Sequence, residues 1–248
     1  KDVCRRGAST EKEMRIANVV LNDFTRDNRV LKISATLSTE GHDVTVVALH
    51  KPGLPKRERH TDSFDVHRIG LVMPTRVFRG GLKLVELAMK IAFGYRRFDA
   101  WHCNDAEAFV IGLLAKLSRP SLRLIYDCHE FESERNGKSK RYLRAVGWME
   151  RRFIRFADEV IVVSPSIATA YVERYQSHGL GGVQLLRNVP HKIDAETVRV
   201  TALGKGRLRQ ALGLGSDDFI ALYQGAFTIN RGIEELLAMS GHNLRRLH

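Results

Sequence analysis

The sequence predicts an α/β fold built on a doubly wound parallel sheet. Residues 16–21 form an almost continuous apolar run, which is typical of a strand covered on both faces. Further along, apolar runs of strand length alternate with segments whose apolar residues keep a helical spacing. Ser164 and Pro165 stand in the order of a helix cap and a first helical residue. Together these observations predict parallel strands joined by helices.

The first βαβ unit is the clearest in the chain. After the apolar run, a polar stretch at residues 22–28 ends the strand. The helix that follows is marked by three apolar residues at helical spacing: Val30, Ile33 and Leu37. Gly41 stands where a helix C-cap is expected, directly before a second apolar strand at residues 44–48.

The alternation of strands and helices continues to residue 190. Strands are predicted at 64–69, 98–103, 122–127, 158–164 and 183–186. Helices are predicted at 82–95, at 105–117 with Asn104 or Asp105 as the cap, at the basic segment 138–156, and from Pro165 onwards. A single sheet should therefore span residues 14–190.

The rest of the chain predicts a second, incomplete domain. Residues 1–13 are interpreted as an extension outside the fold, either disordered or artificially added, and 191–204 as a linker. Within residues 205–248 we expect a helix at 207–212, a strand at 219–223, a loop at Gly225 and a helix at 232–239. One strand cannot be covered on both faces by so little chain, so we expect the sequence to stop within this Rossmann-like second domain.

Composition limits the classes of function. The 248 residues carry a net charge of +12, three scattered cysteines and no apolar stretch long enough to cross a bilayer. We therefore predict a cytoplasmic protein. Its positive charge either binds an anionic partner or is simply tolerated. Much of the charge lies in 138–156, an amphipathic segment that includes Trp148. This helix could lie on an anionic membrane at the inner face, or simply pack on the sheet with a solvated basic side.

Candidate functional residues follow the ends of the predicted strands, where open α/β sheets bind ligands. Asp27, Asn28 and Arg29 follow the first strand, and they could equally be an ordinary helix-capping loop. His129 and Glu130 follow the strand at 122–127, with Asp105 after a neighbouring strand. A histidine beside carboxylates can contact a sugar hydroxyl, although such a pair can also be a surface feature.

A metal site is not expected. Its ligands would be His102, Cys103, Cys128 and His129. Side chains alternate between the two faces of a strand, so neighbouring members of this set should point apart.

Phosphate binding is expected near residues 225–232. Gly225 follows a predicted strand and would let the backbone approach a ligand, and Arg231 adds a positive charge at the start of the next helix. The chain has no G-x-G-x-x-G, Walker A or G-x-S-x-G sequence, which removes the main support for a dehydrogenase, a P-loop NTPase or an α/β-hydrolase.

Six segments in order resemble family-four glycosyltransferases of the bacterial polysaccharide type: DNRVLKISATLSTEGHDVTVVAL, FDAWHCND, YDCHEF, ADEVIVVSPSI, LLRNVP and ALYQGAFTINRGIEELL. The resemblance implies a GT-B architecture of two Rossmann-like domains and a retaining transfer from a nucleotide-diphosphate sugar, with no obligatory metal or other cofactor. It implies that His129 contacts the donor sugar, with Glu130 beside it. Asp105 and the turn Asp27, Asn28 and Arg29 would lie on the acceptor side, and Gly225 and Arg231 would hold the donor diphosphate.

Two departures from the family pattern stand out. Ala226 replaces a basic residue that many members carry after the glycine, and the Glu-x7-Glu element of the second domain does not occur before the chain ends. We therefore expect a parent enzyme that transfers sugar to a lipid-linked or saccharide acceptor, in cell-surface polysaccharide biosynthesis, and little activity in these 248 residues. The alternatives are a non-catalytic acceptor- or membrane-binding module and, with less support, a nucleic-acid-binding domain, for which no recognition signature exists.

Overall fold

The computed structural model describes residues 13–71, 81–135, 137–189, 207–215, 217–220, 222–223 and 232–243. The chain divides into two compact units. The larger one comprises Lys1–Arg135 with Lys140–Asn188, and the smaller one comprises Asn136–Ser139 with Val189–His248. The boundaries expected from the sequence for the extension, the linker and the second domain stay predictions, and residues 1–12 and 191–204 lie outside the described residues.

The larger unit contains one eight-stranded sheet, which confirms the predicted fold class. Its strands are β1 (Arg15–Val19), β2 (Asp43–Leu49), β3 (Arg57–Arg59), β4 (Asp65–Ile69), β5 (Ala100–Asn104), β6 (Arg123–Cys128), β7 (Glu159–Val162) and β8 (Gly182–Leu185). Their order is β3-β4-β2-β1-β5-β6-β7-β8, and all pairs are parallel except β3 with β4. The chain winds outwards from β1 in one direction and then returns to continue from β5. This reversal makes the gap between β1 and β5 the switch point of the sheet.

The antiparallel edge strand β3 was not predicted. Its three residues are all exposed and none is apolar, so it carries no burial pattern that a sequence could reveal. Short charged strands of this kind commonly protect the edge of a sheet from pairing with another chain.

Helices cover the two faces of the sheet unequally. The larger unit has α1 (Asn28–Thr39), α2 (Gly81–Gly94), α3 (Asp105–Ser118), α4 (Lys140–Phe153) and α5 (Pro165–Tyr175). Ala17 and Val19 of β1 join the core that also contains buried residues of α2, α3, α4 and α5. Ile16 and Val20 point the other way, into the smaller core that contains Val30 of α1. The alternation along β1 therefore separates four helices on one face from α1 on the other.

Helix α1 ends as its sequence predicts. Gly41 has φ of +90°, a left-handed conformation that glycine adopts without strain. Its N–H donates to the carbonyl of Ser38 at 3.1 Å, and the N–H of His42 donates to the carbonyl of Leu37 at 3.1 Å. These two bonds form a Schellman motif, which satisfies carbonyls that would otherwise lack partners at the helix end.

Gly112 allows α3 to lie directly on the sheet, and its replacement makes a sharp test of the packing. A Cβ at this position would lie 2.5 Å from Leu124 Cδ1 and 2.7 Å from Cys103 Sγ. We expect Gly112→Ala to lower the free energy of unfolding by about 1–3 kcal/mol, because the buried neighbours must move.

The matched control is Gly147→Ala in α4, where the nearest atom is Ser133 Cβ at 3.5 Å. It should raise the free energy by about 0.5–1 kcal/mol through helix propensity. Urea unfolding followed by circular dichroism measures both, and equal effects would contradict the close approach of α3.

The smaller unit contains two described helices, α6 (Arg207–Leu212) and α7 (Ile233–Asn243). Both were predicted. The strand predicted at 219–223 is wrong for the residues described, since 217–220 and 222–223 have no strand hydrogen bonding. Phe219 is 86% exposed and Leu222 is 72% exposed. The physical reason is that an apolar run becomes a strand only beside another strand, and the described part of this unit offers none.

Candidate functional site

Asn104 organises the switch point. It is the last residue of β5, and its side-chain Nδ2 donates to Asn18 Oδ1 at 2.7 Å and to the carbonyl of Val19 at 2.9 Å. Asn18 in turn donates to the hydroxyl of Ser34 in α1 at 2.9 Å, and all of these side chains are buried. Because the amide nitrogen of Asn104 is fully used on β1, its amide oxygen is left to face the neighbouring strand β6.

His129 meets that oxygen directly after β6. Its Nε2 lies 3.2 Å from Asn104 Oδ1, and since an amide oxygen only accepts, Nε2 carries the hydrogen and donates it. Its Nδ1 lies 3.5 Å from Asp105 Oδ1. The imidazole is thus held between an amide and a carboxylate while remaining partly open to solvent. These contacts bring His129 and Asp105 together at the carboxyl ends of β5 and β6, as the sequence predicted for their positions.

Asp105 has an unusual backbone. It begins α3 with φ of +66°, a left-handed conformation that is uncommon outside glycine and that aspartate tolerates better than most residues. Its buried Oδ1 has no hydrogen bond. The cap of α3 is Asn104, whose side chain makes no cap hydrogen bond because it is used on β1. Strained residues of this kind concentrate at functional sites, where the surrounding structure enforces them.

Arg135 lies close to three acidic side chains, one of which is the Asp105 that faces His129. Its guanidinium lies 3.6 Å from Asp105 Oδ2, and 3.5 Å from both Glu130 Oε2 and Glu132 Oε2. Glu130 is largely exposed, whereas Glu132 is fully buried in a short 3₁₀ turn and its Oε1 has no hydrogen bond. Burial and the nearby Asp105 carboxylate raise the pKa of Glu132 to about 8, against the opposing effect of Arg135. Glu132 therefore keeps its proton to a higher pH than an ordinary glutamate does.

Glu132 and Arg135 were missed by the sequence reasoning. The segment 130–135 alternates acidic residues with serine, phenylalanine and arginine, a pattern that is typical of a solvated loop. Arg174 of α5 holds this loop through two hydrogen bonds. It donates to Ser133 Oγ at 2.8 Å and to Glu134 Oε1 at 2.6 Å. This is a contact across 40 residues that no local pattern shows.

Arg29 does not face the cleft as the resemblance implied. Its guanidinium is 5% exposed, with Nε and Nη2 donating to the two oxygens of Asp127 at 3.1 and 2.7 Å. Its Nη1 donates to the carbonyl of Leu186 at 2.8 Å. His102 Nε2 lies 2.9 Å from Asp127 Oδ2. Burial alone would raise the pKa of Asp127, but the hydrogen bonds and charges of His102 and Arg29 lower it below its usual value. The physical reason for the inward position is the buried carboxylate, which requires a cation.

The remaining predicted residues separate into three groups. Asp27 caps α1, because its Oδ1 accepts from the N–H of Val30 at 3.1 Å and its Oδ2 accepts from Asn22 Nδ2 at 2.8 Å. Asn28 is exposed at the same edge of the sheet. Gly225 and Arg231 lie outside the described residues.

Comparison with known proteins finds one matching family and several solved structures of similar fold. Residues 27–179 match the model of Glycosyltransferase Family 4. Sucrose-phosphate synthase from Thermosynechococcus elongatus is 19% identical over 93% of this chain and 60% of that chain, with a TM-score of 0.67. A glycosyltransferase from Rickettsia africae is 15% identical over 96% and 60%, with a TM-score of 0.56. Anabaena HepE in complex with UDP-glucose is 18% identical over 81% and 50%, with a TM-score of 0.51.

At these identities the solved structures show likeness of fold alone. No curated protein sequence matches the chain. The chain spans 60% of the length of the first two structures and 50% of the third.

Proposed function

This chain belongs to Glycosyltransferase Family 4, and on that premise we propose that the protein transfers a sugar from a nucleotide-diphosphate donor to a lipid-linked or saccharide acceptor. We propose further that the transfer retains the anomeric configuration, needs no obligatory metal and serves cell-surface polysaccharide biosynthesis on the cytoplasmic side of the membrane. The proposal concerns a whole enzyme, because the chain spans 50–60% of the solved structures it is compared with.

The arrangement of His129 is the observation that carries the proposal. Its ring is oriented by Asn104 on one side and faces Asp105 on the other, at the carboxyl ends of β5 and β6, beside the switch point where parallel sheets bind ligands. Because Nε2 donates to Asn104, His129 Nδ1 and the Asp105 carboxylate 3.5 Å from it offer two acceptors to neighbouring hydroxyls, as a sugar presents. His129 is held by the buried Asn104 before any ligand arrives, and such preorganisation strengthens interactions with a transition state.

The donor class has separate support. HepE, whose fold this chain shares, was crystallised with UDP-glucose. Gly225 and Arg231 remain the proposed diphosphate-binding residues, where an arginine would offset the charge that develops on the leaving nucleoside diphosphate.

Replacement of His129 tests the proposal. We expect His129→Ala, in a form with the complete second domain, to lower the turnover of donor by about 100-fold or more, because one oriented polar contact to the transition state is lost. The measurement is release of nucleoside diphosphate in the presence of acceptor. His178→Ala is the matched control, since that histidine is exposed beyond α5 and far along the chain from the site. Full turnover by His129→Ala would refute the role of this residue, and absence of transfer by the unmodified two-domain enzyme with all common donors would refute the function.

A membrane partner is proposed for α4. Trp148 is 63% exposed, and Arg144 and Arg151 flank it one turn away on either side. An exposed tryptophan between cations fits the headgroup region of an anionic bilayer, where each basic residue contributes about 1 kcal/mol. This observation favours the membrane alternative for α4 over a helix whose outer side is only solvated. The protein would then be cytoplasmic and peripheral at the inner membrane face.

A further inference from the structure

Helices α2 and α3 carry an apolar surface that faces away from the sheet. Every fourth residue along the outer side of α2 is large and apolar, and α3, which packs beside α2, adds two more. Each member is half or more exposed: Val85, Met89, Phe93, Leu114 and Leu117. We call these five residues the α2–α3 apolar surface. Soluble proteins seldom expose large apolar side chains in such groups unless something binds there.

This surface is not a displaced part of the core. The inner side of α2 is already anchored, since Leu87, Ala88 and Ile91 are almost completely buried in the larger core. A helix with a buried inner side and an apolar outer side has two apolar contacts to make, and only one is made within the described part of the unit. The second contact requires a partner.

Charged residues on the same face of the sheet indicate the chemistry of that partner. Helix α4 covers the same face of the sheet, and its outer side carries four exposed arginines: Arg141, Arg144, Arg151 and Arg152. None of the four forms an ion pair within the described residues. Arg96 and Arg97 are exposed just beyond the end of α2. The partner should therefore be apolar and negatively charged at once. An anionic lipid bilayer has both properties, whereas a nucleic acid would satisfy the arginines but not Phe93 or Met89.

We propose that the α2–α3 apolar surface inserts into the boundary between headgroups and acyl chains of an anionic membrane, while the arginines of α4 bind the headgroups. Trp148 would lie at headgroup level, where amphipathic rings accumulate. The helices would lie in the plane of the membrane, as amphipathic helices do when they bind without crossing. The inference deepens the proposed function and rests on it for its purpose, since this surface would bring the enzyme to a lipid-linked acceptor.

Vesicle binding by the 248-residue chain tests the proposal without any sugar donor. We expect co-sedimentation with vesicles of phosphatidylglycerol and phosphatidylcholine, and none with phosphatidylcholine alone. Met89→Ser with Phe93→Ser should weaken binding roughly tenfold or more, because two inserted side chains become polar. The matched control is Val172→Ser, an apolar residue 40% exposed on α5, which should bind as the unchanged chain does. Circular dichroism would verify that all variants fold.

Two further readouts separate charge from insertion. Arg144→Gln with Arg151→Gln should weaken binding roughly fivefold for each arginine and reduce its dependence on salt. Tryptophan emission should shift to the blue on binding anionic vesicles, because Trp148 leaves water while Trp101, which is fully buried, gives a constant background.

Several results would overturn the inference. One is absence of binding to anionic vesicles at low salt, and another is unchanged binding by the Met89→Ser, Phe93→Ser chain. A third is a concentration-dependent dimer that this double variant dissolves, which would assign the surface to a second copy of the chain. Sugar transfer would be measured separately, with the two-domain enzyme and a soluble acceptor. Loss of transfer with intact vesicle binding would therefore contradict the proposed function alone, and the reverse result would contradict this inference alone.

Discussion

Asp127→Ala is expected to lower the free energy of unfolding by about 3–5 kcal/mol. The carboxylate is fully buried and accepts from Arg29 through two nitrogens and from His102 through a third. Its removal leaves a buried guanidinium and a buried imidazole facing a cavity, and water cannot solvate them without opening the core. The loss should therefore exceed that of an ordinary ion pair. Urea unfolding at neutral pH, followed by circular dichroism, measures it.

The chain offers a matched control in Asp65. It pairs with Arg59 at 2.9 Å, a distance close to that of the buried pair, but the two side chains are 39% and 60% exposed. Asp65→Ala should lower the free energy of unfolding by less than about 1 kcal/mol. Equal losses in the two variants would mean that the Arg29–Asp127 pair is solvated in solution and is not the buried contact described above.

Glu132→Gln is expected to change how stability depends on pH. The unfolded chain releases this proton near the ordinary value of 4.5, whereas in the folded state the pKa is raised to about 8. Between these two values the folded state holds one more proton than the unfolded state, so the free energy of unfolding falls by about 1.4 kcal/mol per pH unit as pH rises. The contribution of Glu132 to the free energy of unfolding is fully present below pH 4.5 and is lost by about pH 8. The total is on the order of 3–5 kcal/mol.

Glutamine has the same shape and no proton to release, so the variant should lack this slope. The measurement is the difference between variant and unchanged chain in urea unfolding at several pH values from about 5 to 9, which cancels the other titrating groups. Ser133→Ala, the neighbouring uncharged residue, should displace the curve by the same amount at every pH. A Glu132→Gln curve that runs parallel to that of the unchanged chain would show that Glu132 is ionised throughout this range.

Much of the fold could be predicted from the sequence because it depends on local patterns. Buried parallel strands require continuous apolar runs, and the C-cap of α1 requires a residue such as Gly41 that adopts positive φ easily. The strand predicted at 219–223 shows the limit of the same reasoning. Its apolar run is real, but strand formation needs a neighbour, and a sequence pattern carries no information about whether one is present.

The candidate site was predictable in position and not in detail. The carboxyl end of a parallel strand is a place that sequence can find, and His129 and Asp105 lie there. Which polar residue turns inward depends on partners far along the chain. Arg29 was expected at the cleft and instead neutralises Asp127, and Glu132 was not considered because a glutamate in a charged loop gives no sign of burial.

The contacts of Arg29 also bear on how the protein is made. Its guanidinium bonds to Asp127, 98 residues further along, and to Leu186, 157 residues further along. At synthesis rates of about 5–20 residues per second, a nascent chain would hold this arginine without its last partner for roughly 8–30 s. Arg29 therefore cannot complete its contacts early at the ribosome, and the larger unit should become resistant to protease only after β8 has emerged.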